Sequence, residues 1–220
     1  MNVAAVIDAR REDAALVADE VAKVIFNGGT VIFPTDTVYG IACDPQRSDA
    51  IDRIYGAKQR PDNKPLSLHL GSVREFLEYA GQNSLALLAA KRLLPGAVTL
   101  IIRRPAFISE DVSAGLATVG FRVPDDPLSL AILERCGPLA ATSANTSGAK
   151  PYYGGGDWET LPKADLLIEN GPTSRQAESS VIDLSGSLPR LLREGALTLE
   201  FLSSQLGPVV RQTVKIRNNQ

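Results

Sequence analysis

Short apolar runs recur along this chain, and segments of helical period separate them. A short apolar run bounded by turn residues is typical of a buried strand, whereas apolar residues three and four apart indicate an amphipathic helix. This interleaving predicts one α/β domain, built on a twisted mixed β-sheet flanked by helices. The predicted strands are 30–33, 66–70, 98–102, 118–123, 139–142, 166–169, 181–184 and 190–193. The predicted helices are 12–26, 49–58, 72–79, 84–94, 128–135 and 198–206.

The composition is sufficient for a self-supporting core. Of the 220 residues, 44% are hydrophobic and 22% charged, so no disulfide or metal is needed to stabilise the fold. Because no linker or repeat divides the chain, we expect one domain over 1–207 and a basic C-terminal tail over 208–220. The tail carries Arg211, Lys215 and Arg217, and is either a frayed end or a weak edge strand.

Side chains for metal and histidine chemistry are scarce. His69 is the only histidine, and Cys43 and Cys136 are far apart, which excludes zinc sites, Cys/His pairs and histidine triads. The net charge of −2 argues against a broad nucleic-acid surface. With no signal peptide, no run long enough to span a membrane and no evident disulfide, we expect a cytoplasmic protein.

Polar residues cluster where predicted strands end, which is where open α/β sheets bind ligands. In the loop 34–40, Asp36 either bonds its own backbone or contacts a ligand, and the role of Tyr39 is equally open. The loop 58–66 holds Lys58, Arg60 and Lys64, and two prolines stiffen it. It is either a polyphosphate site or a solvated basic loop.

Two strand residues and a third loop add to this set. His69 alternates with apolar neighbours on a predicted strand. A lone histidine in such a position is more often structural than catalytic. Arg122 lies within an apolar strand, so it must face solvent, pair with an acid or receive an anion. In the hydroxyl-rich loop 141–148, Ser143 has no base at motif distance and is interpreted as a hydrogen-bonding group.

Familiar nucleotide-binding motifs are absent from the sequence. It contains neither G-x-x-x-x-G-K-[ST] nor G-x-G-x-x-G. The glycines at 154–156 follow no predicted strand, and we expect them to form a flexible surface turn. A nucleotide would therefore have to bind through a different set of loops.

Seven segments of the chain, in order and at matching spacing, resemble the YrdC-like threonylcarbamoyl-AMP synthase family. They are 29–40 (GTVIFPTDTVYG), 58–69, 95–99, 120–124, 142–145, 179–183 and 192–195. Two departures are Asp36, where glutamate is frequent in the family, and Lys64, where asparagine is often found. Longer members carry a further C-terminal domain, so the chain is similar to the short, single-domain form.

The resemblance implies a nucleotidyltransferase that makes L-threonylcarbamoyladenylate and pyrophosphate from L-threonine, bicarbonate and ATP. The product would supply the N6-threonylcarbamoyl group of adenosine 37 in tRNA, and partner transferase proteins would complete the transfer. A Mg²⁺ ion is expected to accompany ATP, with no dedicated metal site on the protein.

The resemblance also implies roles for individual residues. Lys58 and Arg60 would act on the ATP phosphates as catalytic residues. Nucleotide contacts are implied for Arg60, Lys64, Thr118, Ser143, Asn145 and Arg193. Contacts with L-threonine are implied for Thr35, His69, Arg122, Thr142 and Ser180.

Two alternatives stay open at the level of sequence. One is a non-catalytic protein that binds structured RNA, and a weak tRNA or double-stranded RNA contact is also compatible with an enzyme. The other is a module that forms a carbamoyl adenylate from carbamoyl phosphate. The basic tail over 208–220 is further expected to fold over the cleft as a partial lid.

Overall fold

The computed structural model describes residues 2–156 and 158–211, which form a single α/β domain. Its strands are β1 (Val3–Asp8), β2 (Val31–Phe33), β3 (Gly40–Cys43), β4 (Ser67–His69), β5 (Val98–Arg103), β6 (Thr118–Arg122), β7 (Leu139–Ser143), β8 (Ala164–Glu169), β9 (Ser180–Asp183), β10 (Arg190–Arg193) and β11 (Val210–Arg211). Its α-helices are α1 (Ala14–Phe26), α2 (Ser48–Lys58), α3 (Val73–Ala80), α4 (Ser84–Leu93), α5 (Glu110–Ser113), α6 (Pro127–Cys136) and α7 (Leu199–Leu206).

The strands form one mixed sheet in the order β1-β8-β2-β3-β7-β4-β6-β5-β9-β10-β11. Neighbours pair in parallel at β1–β8, β8–β2, β4–β6, β5–β9 and β10–β11, and antiparallel elsewhere. The mixed sheet confirms the predicted fold class.

Alternation along the strands divides the core into two layers. Val31 and Phe33 of β2 pack with α1 and α6 on one face, whereas Ile32 between them packs on the other. The second face holds the larger core, which α2, α3, α4 and α7 cover. Among the described residues, the core beneath α1 and α6 comes from β8, β2, β3 and β7. On the same face, β4, β6, β5 and β9 carry the lining of a cleft instead.

Local sequence signals account for the helix boundaries. Asp13 caps α1 by accepting from the Ala15 N–H at 2.8 Å, and Asp126 caps α6 ahead of Pro127 as predicted. Ser72 accepts from the Glu75 N–H at 3.1 Å at the start of α3. All predicted strands and helices exist, with ends shifted by a few residues.

Three elements were missed by sequence reasoning. β1 is an edge strand whose burial does not follow a clear alternation, and β3 is a short run of small residues directly after a polar loop. The four-residue helix α5 is too short to show a period. β3 matters most, because it carries the chain from the 34–40 loop back alongside β7.

The start of the predicted tail lies on the sheet. Val210 and Arg211 pair in parallel with β10, which favours the edge-strand reading over a frayed end for these two residues. The Arg211 guanidinium forms an ion pair with Glu194. The remainder of the predicted tail and lid, including Lys215 and Arg217, lies outside the described residues. No helix in the described part of the chain is long and apolar enough to cross a membrane.

Candidate active site

A cleft of about 410 Å³ lies beside the α1–α6 layer, over the strands β4, β6, β5 and β9. Its floor consists of residues two apart on neighbouring strands, because alternate side chains of a strand point to the same face. These floor residues are Ser67, His69, Thr99, Ile101, Gly120, Arg122 and Val181. Loops 34–40, 58–66, 142–148 and 178–179 supply its walls.

Arg122 and Asp36 form a buried ion pair at one end of the cleft. The Arg122 Nη2 donates to Asp36 Oδ1 at 2.5 Å, and Arg122 is only 3% exposed. The second Asp36 oxygen faces the Arg175 Nε at 3.5 Å. Asp36 therefore braces Arg122, which answers the question that the sequence left open. The Arg122 Nε is buried without a partner among the described residues, so the guanidinium retains a donor for an anion.

His69 is a neutral imidazole beside this guanidinium. Burial, followed by the nearby charge of Arg122, lowers the pKa of His69 to about 3. Its Nδ1 is buried and has no hydrogen-bond partner in the described residues. Its ring packs edge-on against Phe33, at a centroid distance of 6.2 Å. His69 thus offers the cleft a fixed polar group that carries no charge near neutral pH.

Lys58 is a buried amine at the opposite wall. It ends α2, is 1% exposed, and its Nζ donates to the carbonyl oxygens of Ser143 and Asn145. Burial, followed by the nearby charge of Arg60, lowers the pKa of Lys58 to about 7. Its contact with neutral carbonyls leaves one position on the nitrogen for a ligand.

Arg60, Lys64 and Arg193 make the rim of the cleft basic. The Arg60 Nε donates to the Lys64 carbonyl at 3.0 Å, and its Nη2 donates to the Pro65 carbonyl at 2.8 Å. Arg193 donates to the Ser179 carbonyl at 2.9 Å and pairs with Glu178 at 2.8 Å. The basic loop is therefore anchored by its own backbone, while Asp62 and Lys64 are exposed to solvent.

Loop 142–148 closes the cleft beside Lys58. Thr142, Ser143 and Asn145 line the cavity, and the Ser143 hydroxyl donates to the Asn145 side-chain oxygen at 2.5 Å. The Ser147 N–H donates to the Lys58 carbonyl at 2.9 Å, while the Ser147 hydroxyl is buried without a partner in the described residues. The Ser143 hydroxyl bonds to an amide oxygen and not to a basic nitrogen, in agreement with its interpretation as a hydrogen-bonding group.

A buried carboxylate behind the cleft joins two of its walls. Glu169 accepts from the Tyr152 hydroxyl at 2.9 Å, the Trp158 Nε1 at 3.2 Å and the Gly155 N–H at 3.0 Å. The Tyr39 hydroxyl donates to the Gly171 carbonyl at 2.8 Å, so Tyr39 is a brace that contacts no cleft atom through its hydroxyl. These contacts tie the loop 34–40 to the segment that follows loop 142–148.

The glycines at 154–156 are part of this cluster, which corrects their expected role as a flexible surface turn. A Cβ on Gly154 would lie 2.0 Å from the Gly171 carbonyl, so close backbone packing requires glycine there. The contact is between segments distant in sequence, and nothing in the local sequence indicates it.

Ten of the twelve implied site residues line the one cleft: Thr35, Lys58, Arg60, Lys64, His69, Arg122, Thr142, Ser143, Asn145 and Arg193. One of the two exceptions is Thr118, which shares a face of β6 with Gly120 and Arg122 but does not line the cleft. The structure thus brings together residues from six segments: loops 34–40, 58–66 and 142–148, and strands β4, β6 and β10.

Ser180 is the clear departure from the implied set. Alternation along β9 turns its hydroxyl away from the cleft, where it donates to the Leu197 carbonyl at 2.6 Å and accepts from Gly195 N–H. The neighbouring Ser179 lines the cleft instead, with its hydroxyl 3.0 Å from that of Thr99. The Ser180 side chain therefore does not line the cleft, whereas Ser179 does.

The carboxylate content of the cleft bears on metal binding. In the described residues, Glu178 is the acidic side chain that lines it, and no group of three or more His, Cys, Asp or Glu is placed to hold a metal ion. A divalent ion in this cleft would need most of its oxygen ligands from a bound substrate.

Comparison with known proteins identifies relatives along most of the chain. The family model for Sua5, YciO and YrdC proteins, described as telomere recombination, matches residues 23–195. The threonylcarbamoyl-AMP synthase of Bacillus subtilis (strain 168) is 36% identical over 197 residues, which cover 86% of this chain and 56% of the relative. A putative threonylcarbamoyl-AMP synthase of Methanocaldococcus jannaschii is 32% identical over 202 residues, covering 90% of this chain and 95% of the relative.

The fold has a solved counterpart as well. The crystal structure of Pyrococcus abyssi Sua5 complexed with L-threonine superposes with a TM-score of 0.86 at 32% identity, over 94% of this chain and 62% of that chain. The chain thus spans little more than half the length of the Bacillus relative and under two thirds of the Pyrococcus structure. Because the family model matches residues 23–195 and the Methanocaldococcus relative is 32% identical over 95% of its own length, the chain belongs to the Sua5, YciO and YrdC family.

Proposed function

We propose that this chain is an L-threonylcarbamoyladenylate synthase, which joins L-threonine, bicarbonate and ATP and releases pyrophosphate and water. The observation that carries the proposal is one cleft with two chemically different ends. Arg122, His69 and Thr35 form a buried end, and Lys58, Arg60, Lys64 and Arg193 surround the other. The names of the Bacillus and Pyrococcus relatives support the same reaction.

The buried end suits a small amino acid. The free Arg122 Nε would donate to the substrate carboxylate, and the pair with Asp36 would keep the guanidinium in place. The neutral His69 would then contact a polar group without repelling the substrate's ammonium. The L-threonine complex of Pyrococcus Sua5 supports this choice of substrate.

The basic end suits a triphosphate. Lys58 and Arg60 would face the phosphates, with Lys64, Ser143, Asn145 and Arg193 as further nucleotide contacts. Thr118 lies two residues before Gly120 on the same face of β6, and would contact a nucleotide only at the edge of the cleft. Mg²⁺ would accompany ATP and shield phosphate charge, its ligands coming mainly from the phosphate oxygens.

The second step of the reaction, the attack on ATP, needs alignment of the reactants more than it needs a strong base. The threonine amine and bicarbonate form a carbamate, whose anionic oxygen attacks the α-phosphorus of ATP, and pyrophosphate leaves. Fixed cations at the basic end would stabilise the charge that develops on the leaving group. The two ends of the cleft would hold the carbamate oxygen and the α-phosphorus of ATP in line. The attack would then take place within one bound complex and not between three free molecules.

The product would serve tRNA modification in the cytoplasm. Partner transferase proteins would move the threonylcarbamoyl group to N6 of adenosine 37. The net charge of −2 fits a synthase that handles small molecules and makes at most a weak direct contact with tRNA.

The test is pyrophosphate release by the purified protein with ATP, L-threonine and bicarbonate. Omission of threonine or of bicarbonate should abolish release, and the adenylate should be detected by mass. Release without threonine would refute the proposal. Carbamoyl phosphate replacing threonine and bicarbonate would indicate a carbamoyl-adenylate module, and salt-sensitive RNA binding without pyrophosphate release would indicate an RNA-binding protein.

A further inference from the structure

Among the described residues, the buried Lys58 amine forms no contact with a negatively charged group. Its hydrogen-bond acceptors are the backbone carbonyls of Ser143 and Asn145, and it forms no ion pair within the described part of the chain. A buried ammonium without a carboxylate is costly, so these surroundings favour the neutral amine. The lowered pKa, about 7, agrees with the geometry.

The hydrogen-bond inventory of a neutral amine fits this position. A neutral amine has two N–H donors and one lone pair, and the two carbonyls accept both donors. The lone pair is left over on the side of the cleft that Lys58 lines. Lys58 is thereby arranged as a proton acceptor that can afterwards become a third N–H donor.

The first step of the proposed reaction releases a proton. A threonine ammonium and bicarbonate give the carbamate, one water and one proton, as the new C–N bond forms and the hydroxyl of bicarbonate leaves as water. The other groups of the cleft do not suit this proton. His69 has a pKa of about 3 and Arg122 is permanently charged. The carboxylates Asp36 and Glu178 are paired with Arg122 and Arg193, respectively.

We propose that Lys58, as a neutral amine, accepts the proton released when threonine and bicarbonate form the carbamate, and then turns its new N–H toward the triphosphate. This inference rests on the proposed function. Lys58 is held by loop 142–148, in which Thr142 is the implied threonine contact and Ser143 and Asn145 are implied nucleotide contacts, so its nitrogen borders on the expected positions of both substrates.

The charges around Lys58 act in opposite directions, and the positive ones are more numerous among the residues that line the cleft. Arg60, from the same loop, favours the neutral amine, and Glu178, from the segment before β9, favours the ammonium. Lys64 and Arg193 add positive charge at the rim, and Arg122 adds it at the far end. The negative charge of a bound triphosphate would favour the ammonium form of Lys58. We therefore expect threonine and bicarbonate to react before the triphosphate charge stabilises that form.

The experiment compares the pH dependence of pyrophosphate release in wild type and in Lys58→Arg. Arginine keeps the positive charge but cannot act as a base. Wild type should rise to a plateau just above neutral pH. Lys58→Arg should be about 100-fold slower at pH 7 and should recover at alkaline pH, where threonine itself is a free amine. Lys150→Arg, an exposed lysine outside the cleft, serves as the matched control and should follow wild type.

A second variant covers the case in which arginine does not fit. Lys58→Ala, with its fold checked by circular dichroism, should regain activity at neutral pH when ethylamine is added. Parallel pH profiles for wild type and Lys58→Arg, or no rescue of Lys58→Ala by ethylamine, would overturn the inference. If the wild-type protein released no pyrophosphate in response to threonine, the proposed function itself would be refuted. The two failures are therefore distinguishable.

Discussion

Asp36 Oδ1 accepts a hydrogen bond from Arg122 Nη2 at 2.5 Å, and both side chains are almost fully buried. The pair joins the loop after β2 to the last residue of β6, 86 positions apart in sequence. A buried ion pair is stabilising only as a pair, because either partner alone is an uncompensated charge. The orientation of Arg122 in the cleft therefore depends on Asp36.

Asp36→Asn should lower the free energy of unfolding by about 3 kcal/mol, since it leaves the Arg122 charge buried without its partner. Urea unfolding at pH 7 measures the change. Asp62→Asn is the control, because Asp62 is exposed in the basic loop and should behave as wild type. Equal midpoints for Asp36→Asn and wild type would contradict the structural role.

Arg122→Ala and Arg60→Ala should affect different substrates. Loss of Arg122 should weaken L-threonine binding by about 30-fold or more, because the substrate carboxylate loses a buried charged donor. Loss of Arg60 should mainly weaken ATP binding. Calorimetric titration of each variant with each ligand measures the split. The reverse pattern would overturn the assignment of the two ends.

His69 should make the protein less stable as the pH falls. Its pKa is about 3 in the folded protein and 6.5 ordinarily, so between these values the unfolded chain binds a proton that the folded one does not. Stability is fully present above pH 6.5 and falls by up to about 1.4 kcal/mol per pH unit below it. Urea unfolding from pH 7 to 5 should show this slope, reduced in His69→Asn. Equal slopes for both proteins would show that His69 is not buried neutral.

Ser180→Ala should lower stability and leave threonine binding nearly unchanged. The Gly195 and Leu197 N–H groups lose a buried acceptor, which costs about 1–3 kcal/mol. Ser179→Ala, the neighbouring variant, should change ligand binding more than Ser180→Ala does. A large loss of threonine affinity in Ser180→Ala at unchanged stability would restore the implied side-chain contact.

Glu169→Gln should loosen the segment around Tyr152 and Trp158. The new amide places a donor against the Trp158 Nε1–H, where the carboxylate had accepted, at a cost of about 1–3 kcal/mol. Limited proteolysis should cut between β7 and β8 faster than in wild type. Glu78→Gln, on the exposed side of α3, is the control and should be cut at the wild-type rate.

The sequence predicted the α/β class and most elements because strand and helix periods are local signals. It also predicted which loops meet, since polar residues at strand ends converge at the edge of a sheet. It could not predict that Glu169 binds Tyr39, because the two are 130 positions apart and no local pattern links them. The resemblance implies a role for Ser180, whereas Ser179 lines the cleft, and local sequence does not show which face of β9 meets the cleft.

The floor of the cleft is made of alternate residues on paired strands, with Ser67 opposite Gly120 and Ala141. A slip of β4 by one residue would turn Leu68 into the cleft and bury Ser67 and His69 in the apolar core. Ligand binding here is therefore a direct assay of strand pairing. A refolded preparation or a remote variant that binds at full affinity has its central strands correctly paired, without any further structural measurement.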